Sequence, residues 1–266
     1  MRRVLLMDNG SLEPASTLQL RTLAAGLSDR IGTRVDPVSL AHSGKIPREA
    51  LDGRPAELFE AALDRGWREG VQEFVVVPLF LGPSHALVRH VPALIEERRR
   101  HLKGFRAKVA PPLFVEGDPR LGKILADQVR DAVGSDSRPR LALVDHGSPN
   151  PEVTAVRDRL AIEVKNLLGS EVGEVQPCSM ERREGPEYDF NEPLLRTLLS
   201  RPGWATGPVV LGMLFIAPGK HAGPDGDVAQ ICREARGVDV APIKITKLIG
   251  QHPRLLDLLA DRSVSG

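Results

Sequence analysis

Two hydrophobic periods alternate along this chain of 266 residues. Short apolar runs such as residues 4–7 and 141–144 suit strands that are buried on both faces of a sheet. Each run is followed by a stretch in which apolar residues recur every three or four positions, which predicts a helix with one buried stripe. In the first half the apolar stripe comprises Leu20, Leu23, Leu27 and Ile31, and the matching stripe of the second half comprises Val153, Val156, Leu160 and Val164.

The alternation between strand and helix occurs four times in each half of the chain. Further helices are predicted over residues 56–68, 88–102 and 119–132, and further strands over 74–81, 108–115, 175–180 and 209–216. Because parallel strands need long crossover connections, this order predicts an α/β fold with a four-stranded parallel sheet in each half and helices on both faces.

The two halves also repeat each other in sequence. Asp8-Asn9-Gly10-Ser11 recurs as Asp145-His146-Gly147-Ser148, and Pro14 and Thr17 recur at the same spacing as Pro151 and Thr154. Val35, Pro37 and Ser39 similarly match Val175, Pro177 and Ser179. Several anchors in the same order indicate a tandem duplication, with domains at 1–134 and 139–266 and a polar linker that ends at Pro139.

Composition excludes several classes of partner. Lysine and arginine total 36 against 35 for aspartate and glutamate, without a basic block, so nothing favours nucleic acid or a membrane surface. Cys178 and Cys232 cannot form a disulfide framework, and no apolar stretch is long enough for a signal peptide or a membrane span. We therefore expect a soluble cytoplasmic protein whose partner is a small molecule.

Three residues of the second half carry candidate chemistry. His146, Glu181 and His221 each follow one of its first three strands, and the carboxyl ends of parallel strands meet at one edge of a sheet. Two imidazoles and a carboxylate suit a divalent transition metal such as cobalt, nickel, iron or zinc, or they can accept protons. Taken singly, His146 could be a turn residue and Glu181 part of the solvated charge run 181–184.

Three longer segments resemble the class II sirohydrochlorin chelatases, the CbiX and SirB type. They are DHGS at 145–148, SMERREGPEYDFNEPLL at 179–195 and MLFIAPGKHAGPDGDVAQI at 213–231. PVSLAHSGKI and VVVPLFLGPS in the first half are similar to the other half of the same family. The resemblance implies two tandem chelatase-like, flavodoxin-like domains that face each other across a cleft, a fused version of the dimer that shorter members form.

The resemblance also implies an activity. The family inserts cobalt or iron into sirohydrochlorin, a tetrapyrrole, on the path to cobalamin or siroheme. The divalent metal, Co²⁺ or Fe²⁺ with Ni²⁺ or Zn²⁺ possible in vitro, is then a substrate, and no organic cofactor is expected. The protein is expected to be a monomer, an intramolecular pseudo-dimer.

The family's site residues fall on His146, His221 and Glu181, with Glu184 and Glu187 as alternatives for the acidic position. The resemblance implies that the histidines bind the metal and accept pyrrole protons while Glu181 serves as third ligand or relay. Positioned proton transfer of this kind is worth roughly 10² to 10⁴ in rate. The residues expected to bind the substrate's carboxylates are Arg182, Arg183 and Lys220.

In the first half the corresponding positions are Asn9, Ala41 and His85. Only one of the three keeps its residue type, so the main site is predicted in the C-terminal half, while His42 and His90 leave a remodelled second site open.

Two other functions remain open. A carrier of metal or tetrapyrrole would use the same histidines without turnover. A histidine-phosphatase-like hydrolase would need an arginine beside its histidine nucleophile, and the DHGS segment contains none. A nucleotide-binding protein is disfavoured, because the glycines after both first strands do not form a dinucleotide fingerprint or a phosphate loop.

Overall fold

The computed structural model describes residues 2–133, 138–235 and 243–265. It contains two four-stranded parallel sheets with helices packed against them, which confirms the predicted fold class. Of the predicted linker, residues 134–137 lie outside the described part of the chain.

The first sheet has the strand order β2-β1-β3-β4. Its strands are β1 (Arg2–Asp8), β2 (Val35–Ser39), β3 (Glu73–Pro78) and β4 (Arg106–Val109). In the register, Val4 lies opposite Val35 on one side and Val75 on the other. Because β1 is central, its residues from Val4 to Met7 are buried on both faces, as the continuous apolar run predicts.

Helices cover this sheet on both faces. They are α1 (Pro14–Ile31), α2 (Phe59–Arg68) and α3 (Val91–His101), the last preceded by a π-helical turn over Ala86–His90. Leu5 and Met7 of β1 pack with α2 and α3 in one core cluster. Since successive strand residues point to opposite faces, Val4 and Leu6 face the other layer, where α1 lies against β1 and β2.

The second sheet repeats the order as β6-β5-β7-β8. Its strands are β5 (Arg140–Asp145), β6 (Val175–Ser179), β7 (Val209–Met213) and β8 (Lys244–Ile245). The helices α5 (Pro151–Leu168), α6 (Leu195–Leu199) and α7 (Asp227–Glu234) belong to this half. Ala142 and Val144 pack with α6 and α7 in one cluster, while α5 packs on β5 and β6.

The last helix of each repeat packs with the other repeat. Helix α4 (Arg120–Val133) contacts α5 and β7, and helix α8 (Arg254–Ser265) contacts α1 and β3. The compact units therefore differ from the repeats: unit 1 combines residues up to Glu116 with those from Pro253 onward, and unit 2 spans Gly117–His252. The predicted boundaries 1–134 and 139–266 remain a prediction about the duplication.

Two predicted elements differ from the structure in their bounds for identifiable reasons. The strand predicted over 108–115 ends at Val109, because Pro111 and Pro112 cannot donate to a sheet ladder. The helix predicted from residue 56 begins at Phe59, since Leu58 forms a bridge with Ser39 at the edge of the sheet. Within the described residues, no helix has both the length and the apolar character that crossing a membrane requires.

Candidate metal and active site

The turn after the first strand of each repeat requires glycine. Gly147 has a φ of +96°, and a Cβ there would lie 1.9 Å from the carbonyl oxygen of Glu181. Gly10 has a φ of +84°, and its Cβ would lie 1.7 Å from the carbonyl oxygen of Ala41. Such close approach of two backbones fits glycine alone. In the second repeat it brings the loop that carries His146 against Glu181, which follows the end of β6 at Ser179.

A buried polar network lies beneath this turn. Oδ1 of Asp145 accepts hydrogen bonds from the Ser179 hydroxyl at 2.6 Å and from the Gly147 N–H at 3.1 Å. The Arg157 guanidinium, itself buried, donates to the same Ser179 hydroxyl at 2.6 Å. Burial raises the pKa of Asp145, and Ser179 and Arg157 oppose that shift. The network holds in place the turn that carries His146.

Asn191 fastens the other side of the loop. Its side-chain oxygen accepts from the Ser148 N–H at 2.9 Å and from the Thr154 hydroxyl at 3.2 Å. Its amide nitrogen donates to the carbonyls of Ser148 and Tyr188 at 3.0 and 3.1 Å. The amide therefore accepts two hydrogen bonds and donates two, and these hold in place the segments next to His146 and Glu181.

His146 and Glu181 form a contacting pair. Nε2 of His146 lies 3.3 Å from Oε1 of Glu181, and Nδ1 of His146 lies 3.1 Å from the carbonyl oxygen of Gly147. The His221 ring stands edge-on to the His146 ring, with 4.6 Å between centroids. The structure thus brings together the three residues that sequence analysis placed at the carboxyl ends of β5, β6 and β7.

His221 has a partner that sequence analysis missed. Its Nδ1 lies 2.6 Å from Oδ2 of Asp227, the first residue of α7. The N–H of Val228 donates to the His221 carbonyl at 3.2 Å, which closes the glycine-rich loop onto the start of α7. A carboxylate on one nitrogen fixes the ring and directs the other nitrogen away, an arrangement common among histidines that bind metals. The acidic residue at a helix start is the signal that could have pointed to it.

The site is open and is not a complete set of metal ligands. The side chains of His146, Glu181 and His221 are 47%, 59% and 30% exposed. Among the residues that the structure describes, no three His, Cys, Asp or Glu side chains form a group that could hold a metal ion. Of the alternatives for the acidic position, Glu184 is exposed and the Glu187 carboxylate lies over Gly185, so Glu181 is the carboxylate that contacts His146.

The three predicted carboxylate-binding cations differ in their surroundings. The Arg182 guanidinium is paired with Glu192 at 2.8 Å and Asp189 at 3.1 Å. Arg183 lies over the Tyr188 ring, 5.9 Å from its centroid. Lys220 is exposed, in the loop beside His221.

The first repeat keeps the turn but changes the chemistry. Asn9 stands in the place of His146, and its carbonyl accepts from the Ala41 N–H at 3.1 Å. His85 and His90 are exposed next to and within the π-helical turn, and His42 has a φ of +64° beside a short 3₁₀ turn. Burial raises the pKa of Asp8, the counterpart of Asp145, to about 6.

Comparison with known families agrees with the resemblance seen in the sequence. Residues 3–132 match the CbiX family model. The match covers the repeat that carries Asn9. None of the curated proteins matches the sequence.

Solved structures share the fold over nearly the whole chain. SirB from Bacillus subtilis with Fe³⁺ has a TM-score of 0.74 at 16% identity, covering 99% of this chain and 94% of that one. SirB from Bacillus subtilis subspecies spizizenii in complex with cobalt has the same score and coverage at 15% identity. CbiX, the terminal enzyme for siroheme biosynthesis in denitrifying bacteria, has a TM-score of 0.66 at 18% identity over 99% of both chains. At these identities the similarity establishes the fold.

Proposed function

We propose, from the match of residues 3–132 to the CbiX family model, that this chain inserts a divalent metal, cobalt or iron, into sirohydrochlorin. The observation that carries the proposal is the convergence of His146, Glu181 and His221 at one edge of the second sheet. The structures of SirB that hold Fe³⁺ and cobalt support a metal of this class as the substrate.

The contact between His146 and Glu181 suits a cation. If Nδ1 of His146 carries the proton and donates to the Gly147 carbonyl, Nε2 presents a lone pair to the Glu181 carboxylate 3.3 Å away. Two such acceptors repel unless a proton or a metal lies between them. Two donor atoms bound to one divalent metal, with bonds of 2.0–2.2 Å, stand about 3.0–3.5 Å apart. We infer that the incoming metal replaces the shared proton here.

His221 supplies the second imidazole. Asp227 engages Nδ1, so Nε2 is the nitrogen left for metal or substrate. Metal insertion releases two pyrrole protons as the cation enters, and an imidazole paired with a carboxylate is a suitable acceptor because the carboxylate stabilises the imidazolium. We propose that His146 and His221 hold the metal and take these protons, with Glu181 as third ligand or proton relay.

The substrate's carboxylates need cations nearby. Lys220 and Arg183 are exposed beside the site and could contact them as the protein stands. Arg182 would have to release Glu192 or Asp189, so we propose that it also holds the 181–192 segment in place.

We further propose that the protein acts as a monomer in the cytoplasm, on the path to cobalamin or siroheme. Cys178 and Cys232 are buried in unit 2 and are not joined by a disulfide, which suits a reducing compartment.

The test is anaerobic incubation with sirohydrochlorin and Co²⁺ or Fe²⁺, following the absorbance change on metallation. We expect a rate above the spontaneous reaction, abolished by His146→Ala or His221→Ala. Asp227→Asn should lower the rate by about 10–100-fold, because it removes the charge that orients His221. Asp225→Asn changes an exposed carboxylate of the same loop and should have little effect.

Asn9→Ala is the control for the first repeat, and its rate should match that of the parent. An equally essential Asn9 would refute the assignment to the second repeat. A folded protein that binds the metal or tetrapyrrole without any acceleration would refute the chelatase and favour a carrier.

A further inference from the structure

Unit 1 contains a groove away from the candidate site. It has a volume of about 490 Å³ and runs between α1 and the edge strand β2, with residues 54–57 along its rim. Its apolar wall includes Leu20, Ala24 and Pro37, and three of its polar lining residues are arginines: Arg21, Arg34 and Arg54.

The corresponding place in unit 2 is partly filled by the Arg157 side chain. Helices α1 and α5 both begin at the repeated proline, so Leu20 takes the position of Arg157. The Arg157 guanidinium donates to the Ser179 hydroxyl at 2.6 Å and to the Asn191 carbonyl at 3.0 Å. The groove that remains in unit 2 is smaller, about 310 Å³. Leucine at position 20 therefore leaves space that a side chain closes in the other repeat.

A polar group at the floor of the unit 1 groove has lost its partner. In unit 2 the Thr154 hydroxyl donates to Asn191 at 3.2 Å. Its counterpart Thr17 lines the groove, is 3% exposed, and has a buried hydroxyl without a hydrogen-bond partner in the part of the chain that the structure describes. A buried hydroxyl left unpaired is costly, so a ligand that reaches it gains a hydrogen bond.

The rim carries the positive charges of Arg21 and Arg54, and Asp52 is a carboxylate whose charge reaches Arg21. The Arg21 guanidinium donates to the carbonyls of Leu51, Arg54 and Pro55, at 2.8, 2.6 and 3.1 Å, which are neutral acceptors. Burial and then the neighbouring charge of Arg54 lower the pKa of Arg21. Arg54 is exposed. The adjacent charges of Arg21 and Arg54 favour an anion.

The carboxylates of the groove do not offset this charge. Asp36 is shared by Arg3, Arg34 and Arg65. Glu57 is held by Arg65 through both of its oxygens. In unit 2 the position of Arg21 is taken by Asp158, so the charge is particular to unit 1.

We propose that this groove binds a small organic anion. Arg54 and Arg21 hold its carboxylate or phosphate group, with the Thr17 hydroxyl available at the floor, and Leu20, Ala24 and Pro37 contact its apolar body. The groove lies outside the candidate metal site, and binding there does not require metal insertion.

The test is calorimetric titration of the full chain with benzoate and with phenyl phosphate, which share an apolar body and differ in the anionic group. We expect saturable one-to-one binding of at least one, and the tighter of the two identifies the group. Arg54→Ala should weaken binding about tenfold or more, as loss of a charged hydrogen bond does, and Arg54→Lys less. Arg48→Ala, an exposed arginine of unit 1 outside the groove, should leave it unchanged.

Leu20→Arg should abolish binding by closing the groove as Arg157 does in unit 2. If that variant does not fold, Thr17→Val serves instead: it keeps the shape and should weaken binding while the fold is retained. Absence of saturable binding, or binding that Arg54→Ala leaves unchanged, would overturn the proposal.

Discussion

Asp8 and Asp145 occupy equivalent places in the two repeats, but their neighbours differ. Asp145 has the buried Arg157 guanidinium 3.9 Å away, whereas Leu20 takes that position beside Asp8. One carboxylate oxygen of Asp8 is buried and has no hydrogen-bond partner among the described residues. Burial of this charge raises the pKa of Asp8 from 3.8 to about 6, although the Ser39 hydroxyl and the Gly10 N–H lower it.

This pKa predicts a loss of stability as the pH rises. Between the unfolded and folded pKa values the folded state binds more protons, so the free energy of unfolding falls as pH rises from about 4 to about 6 and is flat above. The full effect is on the order of 3 kcal/mol. Asp8→Asn should remove this slope and stabilise unit 1 near neutral pH, as measured by urea unfolding across that range.

Asp145→Asn is the matched control. It changes the equivalent carboxylate of unit 2, where Arg157 keeps Asp158 as a partner at 2.8 Å, and it should leave the fall in stability that Asp8 causes unchanged. If Asp8→Asn kept the pH slope of the parent, the assignment to Asp8 would be wrong.

At this scale, sequence could locate His146, Glu181 and His221, because strand ends in a parallel sheet converge. It gives only an acidic residue at a helix start as a sign of Asp227, because the contact with His221 depends on how a loop of glycines and prolines turns back. It could not show that Arg182 is paired with Asp189 and Glu192, since those pairs depend on the path of the 3₁₀ segment Pro186–Asn191.

At the scale of elements, the turn after β5 tolerates substitution least. Gly147→Ala should cost about 3 kcal/mol or more, because the new Cβ would meet the Glu181 carbonyl in addition to the strain of a positive φ. Gly32 also has a positive φ, of +62°, in the left-handed helical region, but open space around its Cβ position, so Gly32→Ala should cost only about 1–2 kcal/mol.

Denaturant unfolding of the two variants measures this difference. Gly147→Ala should also lower metallation activity, because displacement of residues 146 and 181 separates the His146–Glu181 pair. Equal costs for the two variants would contradict the close approach of the backbones.

The central elements were predictable and their ends less so. Continuous apolar runs identified β1, β3, β5 and β7, which are buried on both faces. The two-residue strand β8 and the five-residue helix α6 are too short for either hydrophobic period to be visible.

At the scale of the whole molecule, the sequence does not predict that the last helix of each repeat packs with the other repeat. The stripes of α4 and α8 show that each helix buries one face, but an apolar stripe does not specify which sheet it covers. Leu255, Leu258 and Leu259 of α8 are fully buried, and they belong to unit 1.

The compact units predict which fragment folds. A fragment of residues 117–252 contains all of unit 2 and should unfold cooperatively, whereas 139–266 lacks α4 and carries α8 without its partners. Circular dichroism and thermal unfolding of the two fragments distinguish them. Cooperative folding of 139–266 but not of 117–252 would show that the repeat is the folding unit.

The position of α8 in the chain also determines the order in which the two units can complete their folding during synthesis. A ribosome completes all of unit 2 before it releases the helix that unit 1 requires. Until then, the surface of α1 and β3 that α8 covers is exposed on the nascent chain, and it presents apolar side chains to chaperones. Although its first strand emerges earliest, unit 1 is therefore the last to reach its final form.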